Sequence, residues 1–119
     1  MAKPSKRSAP PPPASRPQVN PTKAALERIS GLIARGFDAG RLQREATEVI
    51  STWSTTLEPD ELREHLDEVR DQLAEGVEAA ENMGSEIEPG DAASAKIHAR
   101  SLGALMAARD AFGQAVQRL

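Results

Sequence analysis

Residues 58–91 read EPDELREHLDEVRDQLAEGVEAAENMGSEIEPGD, and this stretch decides the fold. Pro59 follows Glu58 at a first helical position, where its missing N–H costs nothing, and Glu61 stands three residues beyond Glu58 as in a helix start. Leu62, Leu66, Val69, Leu73, Gly76, Ala80, Met83 and Ile87 then recur in alternating steps of four and three. That is a heptad seam, thinned in its second half by Gly76 and Ala80. The pattern predicts a helix over about 59–83, closing between Asn82 and Ser85, where Asn82 and Gly84 are suited to left-handed backbone. Ile87 then anchors the following turn, Pro89–Gly90 reverses the chain, and Asp91 is the N-cap of a last helix over about 92–119.

This last helix holds nine alanines in 28 residues, with Gly103 and Gly113 among them. Its larger apolar residues are Ile97, Leu102, Leu105, Met106, Phe112, Val116 and Leu119. Small side chains let a neighbouring backbone come close, so it reads as an interface helix. At about 1.5 Å per residue, both long helices approach 40 Å, and a tight turn between equals makes an antiparallel hairpin. Its acidic flank is expected to meet Lys96, Arg100 and Arg109. Upstream, Asn20–Pro21 is an N-cap with proline at the first helical position, starting a helix over about 21–35 with the stripe Leu26, Ile29, Leu32 and Ile33. Gly36 suits a left-handed cap, Phe37 packs back on that end, and Asp38 starts a helix over about 39–57. Leu42, Ala46, Val49, Ile50, Trp53 and Leu57 line one face of it, which makes Trp53 a core residue. No alternating β-branched stretch is present. The expected fold is all-α: a Pro-rich arm over 1–20, then about four helices over 21–119 forming an antiparallel hairpin or bundle with a coiled-coil-like seam.

Seven of the nine prolines fall in the first 21 residues, together with Lys3, Lys6, Arg7 and Arg16 and no acid. With almost nothing apolar to bury, this arm is expected to be disordered and partly polyproline II, serving as a solubilising tether. Arg7, Pro10 and Pro13 match the spacing R-x-x-P-x-x-P that aromatic grooves read, and the arm's charge permits weak contact with nucleic acid. The rest of the chain is charged by segment: +1 over 22–57, −11 over 58–91 and +3 over 92–119, for a total of −3. Thirteen acids against Arg63 and Arg70 in the middle block place a strongly acidic face on the third helix. Such a face repels phosphates, so nucleic acid is not an expected partner of the folded part.

Several classes drop out on composition. Without Cys there is neither a disulfide nor a thiolate zinc site, and two histidines, His65 and His98, do not make a metal centre. Glu61 and His65 are four apart, whereas di-iron bundles use Glu-x-x-His; His65 is read as a solvated flank position and His98 as a partly buried or surface one. A charged helix offers water instead of the dry cleft that separates two carboxyl pKa values, and no phosphate loop is present, so neither an enzyme nor a cofactor is expected. No stretch approaches 18 apolar residues and no secretory apolar segment opens the chain, which leads to the expectation of a cytoplasmic protein away from membranes. Arginine exceeds lysine by eleven to four and alanine reaches twenty, a composition like that of GC-rich bacterial genomes, which assigns no activity.

Leu, Ile, Val and Phe number 22 of 119 residues, near the roughly one-fifth level at which chains lose a stable core. Like charges at Glu64/Glu68, Asp67/Asp71 and Asp71/Glu75 each oppose the isolated helix by a few tenths of a kcal/mol. The seam is therefore expected to borrow a surface from a protein partner or from a second copy, a dimer being favoured. The expected contact residues are Leu62, Leu66, Val69, Leu73, Ala80, Met83, Leu105 and Phe112, with Arg7, Pro10 and Pro13 in the arm. The function that follows is a non-enzymatic interaction or assembly protein working through helices 59–83 and 92–119. The alternative is a regulatory antagonist whose acidic helix binds a basic partner or mimics nucleic acid.

Overall fold

Four side chains and prolines punctuate the chain where the helices begin. The computed structural model describes residues 20–119, which form α1 (Pro21–Ala34), α2 (Ala39–Thr56), α3 (Pro59–Gly84) and α4 (Ala92–Gln117), with no strand among the described residues. The R-x-x-P-x-x-P match at Arg7, Pro10 and Pro13 lies outside them. The Asn20 side chain accepts from the amides of Thr22 at 2.9 Å and Lys23 at 3.3 Å. Asp38 accepts from the Arg41 amide at 3.0 Å, and Asp91 from the Ser94 amide at 3.0 Å. The Glu58 amide donates to the Glu61 carboxylate at 3.4 Å. Each cap satisfies a donor that the first turn leaves without a carbonyl.

The α1–α2 turn closes as its sequence dictates. Gly36 has φ +89°, a conformation that costs a side-chain-bearing residue dearly, and the Phe37 amide reaches back to the Leu32 carbonyl at 3.2 Å. Arg41 lies over the Phe37 ring at 4.9 Å. Arg28 ties the two helices by donating to Glu45 and, at 2.8 Å, to Glu48. α3 closes at Gly84, within the expected interval, but not through left-handed backbone: the cap is Ser85 in right-handed backbone at φ −72°, and Asn82 and Gly84 remain helical. Gly84 serves a different purpose there. A side-chain carbon on it would fall 2.5 Å from Nε2 of His98, so a larger residue here would push the His98 ring aside.

Three glycine contacts fix the register of the α3–α4 hairpin. Gly84 meets His98, Gly76 meets Leu105 and Gly113 meets Arg70. As α3 is followed backwards by eight and then six residues, α4 advances by seven and then eight, so the two helices stay paired along their length. The turn between them is closed by the Asp91 amide donating to the Glu88 carbonyl at 2.9 Å, across Pro89–Gly90.

α2 packs along α4, its end at Trp53 against Phe112, with ring centroids 5.9 Å apart, and its beginning near Arg100, which touches Gly36. α2 therefore runs parallel to α4, while α1 starts at Thr22 beside His65 and Glu68 of α3. Alanine makes this possible. Ala104, Ala108 and Ala115 recur down α4 in steps of four and seven and are buried, the first two completely, as are Ala46 on α2 and Ala25 on α1. With no large side chain at these points, α4 takes helices on two sides.

This overturns the expectation that the core is too thin to stand alone. Leu62, Leu66, Val69 and Leu73 are 7%, 1%, 0% and 4% exposed, covered within a single chain and joined in one core to Ile29, Leu42, Trp53 and Phe112. Counting large aliphatic residues undervalued a core in which alanine brings backbones together. The anticipated ion pairs between α3 and α4 are also absent among the described residues: Arg109 pairs with its neighbour Asp110, and Arg70 with Asp67 and Asp71 on its own helix.

Candidate interaction surface at the hairpin tip

The seam of α3 is covered at one end and bare at the other. Leu62, Leu66, Val69 and Leu73 lie inside the chain's own core, as does Phe112, so these five expected contact residues have no surface left for a partner. Leu105 is half-buried against Gly76, and Ala80 is half-buried. Beyond them Met83 is 64% exposed. Val69, Gly76 and Met83 follow one another at heptad spacing, so Met83 occupies a seam position whose cover has run out.

α4 repeats the pattern in mirror order. Ile97 stands one heptad before Ala104, which is fully buried, yet Ile97 itself is 61% exposed. The reason is the length of the elements: α2 begins near Arg100, and the residues of α4 before it, from Ala92 to Ile97, are all exposed. α1 has 14 residues and α2 has 18, against 26 in each of α3 and α4. The shorter pair thus leaves the far end of the longer hairpin uncovered, with Met83 and Ile97 standing on stripes that are core elsewhere. Lys96 and Arg100 flank Ile97 and make no ion pair among the described residues.

The sequence pattern selected Met83 and Ala80 but passed over Ile97, whose heptad relation to Ala104 was the available signal. It also passed over Val77, which is 4% exposed and carries the buried track where Gly76 has no side chain to offer. Met106, 36% exposed, stands on the outer side of α4.

Along α3, Glu61, Glu64, Glu68, Asp71, Glu75 and Glu78 are exposed at steps of three and four, forming one acidic band on a single helix face. Arg70 partly neutralises it through Asp67 at 3.0 Å and Asp71 at 2.9 Å.

A second polar feature corrects the reading of His65 as a solvated flank. Its side chain is only 19% exposed, its ring is tilted against Trp53 with centroids 5.9 Å apart, and its Nδ1 lies 2.8 Å from the Thr22 hydroxyl. Thr22, itself 4% exposed, donates its one hydroxyl proton to Glu68 at 2.9 Å. The hydroxyl must then accept from His65, which places the imidazole proton on Nδ1. A histidine that donates to a hydroxyl does not act as its base, so this chain of groups clasps α1 to α3 and leaves the hydroxyl unactivated. Among the described residues no three acidic, histidine or cysteine side chains converge on a metal position, and no helix is long and apolar enough to cross a membrane.

No protein family matches the chain, and comparison with curated proteins and with solved structures finds no match to it.

Proposed function

We propose that this is a cytoplasmic, non-enzymatic interaction protein that docks a helical partner, or a second copy of itself, on the uncovered tip of the α3–α4 hairpin. One observation carries this: the apolar stripes that α1 and α2 cover over most of the hairpin continue bare through Met83 and Ile97. An amphipathic helix laid there would extend the packing that α2 already makes with α4. Exposed apolar side chains that continue a buried stripe are where a further helix can pack. The two-residue change Met83→Asp with Ile97→Asp tests it. Association, read by light scattering for a dimer and by pull-down for a foreign partner, is lost while the melting temperature holds. Association that persists in this variant removes the tip from consideration.

The acidic band on α3 supports a second reading, in which the protein occupies a basic groove of its target. Binding of that kind weakens steeply as salt rises, because screening acts on exposed charges and hardly on buried apolar contacts.

A further inference from the structure

At the opposite end of the molecule from the tip, α1 and α2 diverge to form an open groove of about 400 Å³. Its walls are mainly apolar, with Pro21, Ala24 and Ala25 on α1, Val49 and Trp53 on α2 and Leu57 just beyond it, and Arg28, which is paired with Glu45 and Glu48, also lines it. Trp53 is 8% exposed, yet among the described residues its indole N–H donates to no acceptor. A nearly buried indole N–H normally has a partner, since leaving a donor dry forfeits its hydration. The groove therefore has an apolar wall that includes an aromatic residue whose N–H has no acceptor among the described residues, and polyproline segments are held by features of this kind: rings against the aromatic surface, backbone carbonyl to an indole donor.

The chain carries such a segment at the groove's edge. Residues 1–19 precede Asn20, and Pro21, the next residue, is itself a wall of the groove. Six residues, 14–19, separate Pro10–Pro13 from Asn20, a length of chain sufficient for the run to reach back to α1. In polyproline II geometry these four residues span about 12 Å, and the groove's α1 wall from Pro21 to Arg28 is about 10 Å long. Charge favours the same occupant. Lys3, Lys6, Arg7 and Arg16 give the arm +4 against −7 for the remainder of the chain. Where the groove ends at Leu57, the exposed acids Glu58, Asp60 and Glu61 follow directly.

We propose that the Pro10–Pro13 run of the arm occupies the α1–α2 groove of its own molecule, with a prolyl carbonyl accepting from the Trp53 indole. Tethering holds the segment at an effective concentration on the order of millimolar, so even a weak match is populated. Any other proline-rich ligand of this groove then competes with the arm. This inference is independent of the tip and stands or falls apart from it.

The test uses the full-length chain and a full-length variant with Pro10, Pro11, Pro12 and Pro13 each changed to serine. Trp53 is the only tryptophan, so its indole N–H gives one signal in a ¹⁵N-labelled sample and its emission is the protein's own. In the natural chain the indole proton resonates downfield and exchanges slowly, and acrylamide quenches the emission weakly, at every protein concentration. In the serine variant the proton moves upfield and exchanges faster, and quenching and emission wavelength rise, while the melting temperature is unchanged. A peptide of residues 1–19 added to the variant restores the first state. Identical indole shift, exchange and quenching in the two proteins overturns the proposal. Protection that appears only with rising concentration and a doubled mass overturns it too, because the arm then binds a second copy.

Discussion

Truncating two seam residues of α3 that differ only in their cover separates core from contact surface. Leu66 is 1% exposed and Met83 is 64% exposed. Leu66→Ala removes a side chain from the centre of the core and leaves a cavity, which costs about 2–5 kcal/mol. A domain of this size has about 5–15 kcal/mol in total, and each kcal/mol shifts melting by about 4–8 °C. A mid-range loss of about 3 kcal/mol therefore lowers Tm by roughly 12–24 °C. Met83→Ala exposes no new apolar surface and exchanges one good helix former for another, so it stays within about 0.5 kcal/mol. Differential scanning calorimetry of the two variants at equal concentration reads the contrast. Equal losses, or a Leu66 loss no larger than that of Met83, would refute the assignment of the first half of the seam to the chain's own core.

Other consequences follow from the caps and the clasp. Thr22→Val keeps the shape but removes the hydroxyl that joins His65 to Glu68, and should cost about 1–3 kcal/mol by urea unfolding; a smaller loss means that the clasp contributes nothing. Gly36→Ala forces a Cβ into backbone at φ +89° and should destabilise by about 1–2 kcal/mol in the same assay, whereas an unchanged midpoint contradicts the left-handed cap. The Asp91 carboxyl is held below the ordinary aspartate value by the Ser94 amide and hydroxyl that donate to it. Because the folded value is depressed, its stabilisation is present above the unfolded value and is lost as pH falls through the folded one. Carboxyl ¹³C titration should place Asp91 below the ordinary aspartate value, and a normal midpoint would remove its N-cap role.

Much of the fold is legible because punctuation is local. Asn20–Pro21, Gly36, Asp38, Glu58–Pro59 and Asp91 each act within a few residues of themselves, so their chemistry can be read along the chain, and α1 to α4 begin where these residues place them. The clasp is different in kind: Thr22 and His65 are 43 positions apart, and no local spacing brings them together. The same holds for Gly84, which reads as a helix terminator yet stays helical and lies against the His98 ring of α4. The contact surface was legible as a seam but not in its extent. Periodicity shows which stripe is apolar; how far other helices cover that stripe depends on their lengths and directions. Hence Leu62 through Leu73 and Phe112 moved from the expected surface to the core, and Ile97 moved the other way.

The most direct test of this division is native-state hydrogen exchange along α3 and α4 of the isolated full-length protein. Amides from Leu66 through Leu73 and from Ala104 through Phe112 should open only with global unfolding, whereas those of Glu81 through Gly84 and Lys96 through His98 should open locally at far lower free energy. Protection that runs undiminished from Leu66 through Gly84 would contradict it, showing the tip to be as firmly held as the core.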